Sequence, residues 1–259
     1  MGGSIVRRVV LIAIPLTLAA GVLGAQESQP APKKSKWKRT MELAGSVFVG
    51  NKPQTVLTTR GTTSHRDSTF ELSADLRFTY GESNRDGERE VSQRLWYGSA
   101  SVDVWPHAGH SPFLLGTVES SFERRIDLRV SGGVGHKMTF VSDGRSLANL
   151  SIAMLGEHSR LPGSDGEIVT EELARLSLRL RLRRKMSERA ELSHETFYRP
   201  EYASMTSFTF SNAVTAGYKM NDAVALKVSY LDNYDSEARG RGAHSNYDGQ
   251  LVVGVQADF

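Results

Sequence analysis

Residues 172–184 read ELARLSLRLRLRR, and their order decides the fold. Ala174, Leu176, Leu178, Leu180 and Leu182 take every second position, with Arg175, Ser177, Arg179, Arg181 and Arg183 between them. Two steps along an α-helix turn the chain through roughly 200°, so a helix would scatter these leucines around its circumference. A β-strand gathers them on one face. The period therefore predicts a strand, although Leu, Arg and Ala are good helix formers. The same alternation governs FELSADLRFTY at 70–80. There Phe70, Leu72, Ala74, Leu76, Phe78 and Tyr80 oppose Glu71, Ser73, Asp75, Arg77 and Thr79.

Carried outward from these two segments, the period predicts twelve strands of about ten residues each. They span 40–49, 54–64, 70–80, 91–104, 113–122, 126–138, 147–157, 173–183, 190–198, 207–218, 224–234 and 247–259. The second carries the weakest alternation, and a misreading of the first two leaves ten strands as the alternative count. No stretch shows helical periodicity. The connections alternate in length. Short ones fall at 65–67, 142–144, 185–188 and 220–222, with a medium one in WPHAGHSP at 105–112. Longer, polar ones fall at 81–90, 158–170, 199–206 and 236–246. Short turns on one side and long loops on the other are the pattern of an outer-membrane barrel, and an even count returns both termini to the short-turn side.

Alternation alone does not say which face meets lipid. A soluble sandwich or lipocalin-like barrel would turn the same apolar faces inward. Three features favour the membrane. Twelve strands enclose a bore too wide for one layer of apolar side chains, and the second face is strongly charged. Aromatics such as Tyr80, Trp96, Trp105, Tyr198, Tyr218 and Tyr234 gather near strand ends, as interfacial girdles do. The chain closes on DGQLVVGVQADF, whose terminal Phe259 resembles the signal read by the barrel-assembly machinery of Gram-negative bacteria. The fold expected is a single all-β, antiparallel, up-and-down transmembrane β-barrel.

Composition sets the remaining bounds. The 259 residues include 32 Lys and Arg against 29 Asp and Glu, a net charge of +3 that gives no concentrated basic face for nucleic acid. A mean hydropathy of −0.34 is too low for a bundle of membrane helices. With no cysteine, neither disulfides nor thiolate metal sites hold the chain. Arg7 and Arg8 precede the apolar run 9–23, which ends at Gly24-Ala25-Gln26. That order reads as a cleaved secretory signal peptide over residues 1–25, with a single-span anchor as the alternative. Its removal takes two arginines and no acid, lowering the net charge from +3 to +1. Residues 26–36, QESQPAPKKSK, read as a disordered periplasmic lead-in, and residues 37–259 as the barrel. The expected location is the outer membrane, with lipid and the assembly machinery as partners.

TVESSFERRIDLRVSGGVGHKM, residues 117–138, resembles the YdiY-like family of salt-induced outer-membrane proteins, a domain of unknown function. The matching pieces are Glu119, Glu123, the Asp127-Leu128-Arg129 step and the Gly132-Gly133-Val134-Gly135 run. ELAGSVFVGN, LDNYDSEARG and the terminal hairpin fit as well, so the resemblance covers residues 37–259. Where the family carries an aromatic after the glycines, this chain has His136. The resemblance implies an outer-membrane barrel of no established activity.

Candidate chemistry is sparse. His107 and His110 have a metal-compatible spacing but lie on a turn without nearby Cys or carboxylates, so no metal or cofactor is expected. His194 with Ser151 would be the pair for an outer-membrane phospholipase, though no motif links them. The glycine run lacks the following helix of a phosphate loop, and reads instead as a place where the wall bends or packs closely. No catalytic residue is named. The informative set is charged. If the apolar faces meet lipid, Arg175, Arg179, Arg181 and Arg183 point inward, with Arg125 and Arg129, and Glu119, Asp127, Glu191 and Glu195 are among the acids available to them. A tight turn at 185–188 would set Arg181 across from Glu191 and Arg179 diagonal to Glu195. Two functions follow: a narrow pore for small ions or solutes, anion-preferring and sensitive to Arg179→Glu, or a non-conducting envelope barrel. Leu178→Arg should be costly and Ser177→Arg mild.

Overall fold

Apolar residues at every second position leave most strands with one apolar face, and among the described residues no second sheet covers it. The computed structural model describes residues 37–48, 54–85, 88–163 and 167–259. The signal-peptide and lead-in expectations for residues 1–36 lie outside the described residues. The strands are β1 (Trp37–Phe48), β2 (Gln54–Arg66), β3 (Phe70–Arg85), β4 (Glu88–Val104), β5 (His110–Ser121) and β6 (Ile126–Ser142). They continue with β7 (Ser146–Pro162), β8 (Ile168–Lys185), β9 (Ala190–Pro200), β10 (Phe208–Lys219), β11 (Val224–Asp235) and β12 (Tyr247–Asp258). Each pairs antiparallel with its sequence neighbours. The ring closes where β1 meets β12, from Thr40 opposite Asp258 to Gly45 opposite Val253. The chain is an all-β, closed, twelve-stranded antiparallel barrel.

Its polarity is inverted relative to a soluble domain. Leu76, Met41 and Val134 stand 68%, 62% and 60% exposed on the outer face, whereas Glu119, Arg129, Glu157 and Arg175 are each buried to 9% or less. Both predicted faces of 70–80 and 172–184 lie as the alternation requires, apolar outward.

Two of the four expected long loops are strand instead. β3 and β4 pair as far as Arg85 opposite Glu88, with a register irregularity between Gly81 and Glu82. β7 and β8 pair as far as Pro162 opposite Ile168. The reason is solvation. Beyond the apolar belt both faces of a hairpin meet water, so backbone pairing continues through residues such as His158, Arg160, Glu171 and Glu172 without hydrophobic alternation to reveal it. Loops remain at 201–207 and 236–246.

The glycine run has a steric cause. A Cβ on Gly133 would sit 1.9 Å from the Met154 carbonyl oxygen of β7, and one on Gly135 would sit 2.4 Å from the Phe113 ring. Both glycines face the bore, where β6 and β7 approach closely. Gly133→Ala should therefore lower barrel stability by about 1–3 kcal/mol, as overpacking does. Gly61→Ala, which meets nothing within 4 Å, should leave it unchanged. Urea titration of refolded protein compares the two.

Candidate functional site

The inward face of the barrel carries most of the wall's charge, above all on β3, β8 and β9, and its packing changes along the bore. The ladder on β8 shows the gradient. Side-chain exposure rises from 6% at Arg175 to 33% at Arg179 and 40% at Arg183, moving toward the end where β1 begins and β12 finishes. Water reaches the terminal end of the bore, and the opposite half is filled.

The filled half is an ion-pair network. Glu119 of β5 receives Arg124 at 3.1 Å and Arg129 at 3.3 Å. Glu157 of β7 lies 3.2 Å from Arg129 Nε and 3.1 Å from Arg175 Nε, so one row of ion pairs joins β5, β6, β7 and β8. Ser131 and Ser159 donate hydroxyls to Glu157. Buried charges need this degree of pairing, because an isolated one would carry a large desolvation cost. Nearby, Arg199 lies 4.4 Å over the Phe197 ring, whose surroundings it shares with Arg179.

In the water-accessible half the ion pairs are separate from one another rather than joined in one row. Arg179 Nε donates to Glu195 at 2.7 Å, Arg60 to Asp75 at 2.5 Å, and Lys227 to Glu42 at 3.2 Å. Lys137 pairs with Asp103, and Arg183 lies 3.9 Å from Glu191. Among the described residues, no carboxylate lies within 4.0 Å of Arg77, Arg181 or Arg199. Three guanidiniums therefore face the bore without a direct ion-pair partner.

The mouth at the filled end is spanned by a loop. β5–β6 and β11–β12 are six strands apart in a ring of twelve, hence on opposite walls. Arg241 of the 236–246 loop nevertheless reaches the Arg124 carbonyl oxygen at 3.4 Å while paired to Asp235 at 2.6 Å. Ala238 in the same loop is 1% exposed. Gly242, at φ 85°, lies beside the Arg125 guanidinium. Backbone bonds from Ala243 N to Ala238 O and from Gly242 N to Arg239 O make the loop compact. Across the mouth, burial pushes the Glu123 carboxyl above its ordinary range, and the nearby Asp248 carboxylate adds to the shift.

Against the sequence expectation, Glu119, Arg129, Arg175, Arg179, Arg181, Arg183, Glu191 and Glu195 lie on the bore face. Arg125 and Asp127 do not. Arg125 sits in the β5–β6 turn at φ 54°, and Asp127 is half-exposed at the rim, 3.3 Å from Arg160. A register shift between Glu119 and Ser121 turns Ile126 inward in their place, where it is 2% exposed. The β8–β9 register also differs. Arg181 faces Glu195, and Glu191 faces Lys185, because the turn occupies residues 186–189 and pairing restarts later than a tight turn would allow. The diagonal Arg179–Glu195 contact is present. His194 and Ser151 stand on opposite faces of the wall, Ser151 inward and 4% exposed. His110 meets not His107 but His136, with ring nitrogens 3.0 Å apart. Alternation puts Arg77 on the polar face of β3, as found; Arg60 and Arg199 follow the same rule on β2 and β9 without having been named, and nothing local marks Arg241.

The model of a family described only as proteins of unknown function, DUF481, matches residues 41–259. No curated protein matches the chain. Among solved structures, the NanC porin is similar at a TM-score of 0.51 and 10% identity, covering 84% of this chain and 98% of that one. An outer membrane channel from Pseudomonas putida F1 is similar at 0.51 and 9% identity, covering 90% and 99%. At these identities the likeness is one of fold.

Proposed function

The chain belongs to the DUF481 family of proteins of unknown function, and from that premise we propose that it is an outer-membrane barrel acting as a narrow, anion-preferring pore. The observation that carries the proposal is the combination of an apolar outer belt with bore arginines that lack acids. Arg77 and Arg181 face the bore without a carboxylate partner among the described residues, which is the arrangement that favours anions in a narrow passage. The belt itself needs hydrocarbon around it, since so much exposed apolar surface would associate in water.

Phe259 supports the assembly route. Its amide donates to the Arg39 carbonyl at 2.9 Å in the β12–β1 seam, and the residue is 75% exposed. The YdiY-like resemblance around residues 117–138 supports a setting of envelope salt stress. Small anions and lipid are the ligands this reading implies, with no catalytic group.

The test is conductance of refolded protein in a planar bilayer, after heat-modifiable electrophoretic mobility has verified the barrel. The expected result is a small, anion-preferring conductance. Arg181→Glu should reverse the preference. Arg179→Glu, which breaks an existing pair with Glu195, should also weaken the conducting state. A cation preference that neither substitution alters would exclude the arginine ladder from the pathway. The paired, buried far half of the bore favours a second reading, a non-conducting envelope barrel. Absence of conductance even after the mouth loop is shortened would select it.

A further inference from the structure

The outer wall carries a polar network that the pore does not use. Thr196, Asn212 and Asp232 are direct cross-strand neighbours on β9, β10 and β11, all on outward positions. Asn212 Nδ2 donates to Asp232 Oδ2 at 3.0 Å. Asn212 Oδ1 accepts from Thr196 Oγ1 at 3.0 Å and lies 2.6 Å from His194 Nε2. All four side chains are half-exposed.

Their surroundings are apolar apart from the Tyr230 and Tyr247 hydroxyls, 2.7 Å from each other on the β12 side of Asp232. On the β8 side Leu180 and Leu182 pair with Thr196 and His194. Two residues further along each strand stand Tyr198 and Tyr234, both in ring contact with Phe208 at 5.4 Å. In the other direction a groove of about 370 Å³ is lined by Leu192, Ala216, Gly217, Leu226 and Val228. A carboxylate, an imidazole, an amide and a hydroxyl thus interrupt the belt just beneath an aromatic row.

Hydrocarbon offers such groups no partner, and leaving them bare to it is costly. The aromatic row marks the level of the lipid headgroups. One layer beneath it, lipids carry the oxygens that join chain to headgroup. Asp232 is acceptor-only, so a fitting ligand brings a hydroxyl donor. We propose that the Thr196–Asn212–Asp232–His194 network and the groove beneath it bind a hydroxylated, ester-linked acyl lipid of the outer leaflet. The hydroxyl donates to Asp232, and the chain lies along Ala216 and Val228. This rests on the membrane reading given above.

Native mass spectrometry of the refolded full chain in detergent tests it, with β-hydroxymyristoyl and myristoyl esters of one glycerolipid as probes. Wild type should retain the hydroxylated ester about fivefold better, the equivalent of one hydrogen bond. Asp232→Leu and Asn212→Leu, which keep an apolar outer face and so fold, should abolish that preference. Ala216→Trp should reduce retention of both esters by filling the groove. Equal retention by wild type, or an unaltered preference in Asp232→Leu, would overturn the proposal. So would a dimer that Asp232→Leu dissociates, since a second copy would then be the occupant. Vesicle flotation separates the layers: protein that fails to float refutes the membrane reading, and protein that floats without hydroxyl preference refutes only this site.

Discussion

Leu178→Arg should destabilise the barrel by about 1–2 kcal/mol, less than the roughly 2–4 kcal/mol of an arginine at the midplane of a lipid-facing strand and more than the near-zero cost at the interface. Leu178 lies on the outward face of β8 between Ile152 of β7 and Tyr198 of β9, toward the aromatic edge of the apolar belt. The matched control is Thr215→Arg. Thr215 faces the bore on β10, where its inward companions Thr209, Ser211 and Ala213 are uncharged. It is half-buried, and an arginine there can extend into the water-accessible half. Its expected cost is below about 1 kcal/mol, the range of ordinary solvated substitutions. Urea titration in lipid vesicles measures both. Equal costs would mean that the two faces meet the same solvent, which ends the membrane reading.

Ser177→Arg, the control suggested by alternation alone, is a poor one. Ser177 is inward, as the period requires, but only 4% exposed, and it stands between Arg175 and Arg179 on β8. A third guanidinium there would meet packed charge. The case shows what the sequence could and could not reveal. A period of two sorts residues onto faces, and it does so wherever one face meets an apolar surrounding. It therefore made β3 and β8 readable and gave the ring of twelve. It carries no information about depth along the bore, so Ser177 in the filled half and Thr215 in the open half look alike. Nor does it see pairing outside the belt, which is why the ends of β7 and β8 read as loop. Register at a turn depends on how many residues the turn consumes, so alternation alone does not decide between Glu191 and Glu195 as the residue across from Arg181.

The outward network was hidden for a different reason. His194, Thr196, Asn212 and Asp232 break the apolar period on three separate strands. Singly, each reads as a weak position in an otherwise apolar row. Only the registers of β9–β10 and β10–β11 place three of them side by side.

The second large effect is expected at the mouth. Replacing residues 238–243 with a short Gly-Ser linker should raise conductance severalfold over wild type. The loop crosses from the β11–β12 wall to the β5–β6 turn, buries Ala238, and is pinned by Arg241 between Asp235 and the Arg124 carbonyl. Deleting its tip removes that cover while leaving the strands and their pairing intact. Arg241→Ala should act in the same direction but at a cost in stability. It strands the Asp235 carboxylate, whose side chain is only 4% exposed, and an unpaired buried charge is strongly destabilising. Asp235→Asn with Arg241→Ala removes both charges and so should open the loop with less loss. The increase has a ceiling. Beneath the loop, Glu119, Arg129, Glu157 and Arg175 still fill the far half of the bore, so the loop-shortened barrel should remain narrow and its selectivity should still answer to Arg181→Glu. A loop-shortened variant that conducts no more than wild type would place the barrier in that buried network rather than at the mouth. In that event Glu157→Gln, which loosens both Arg129 and Arg175, becomes the substitution that raises conductance.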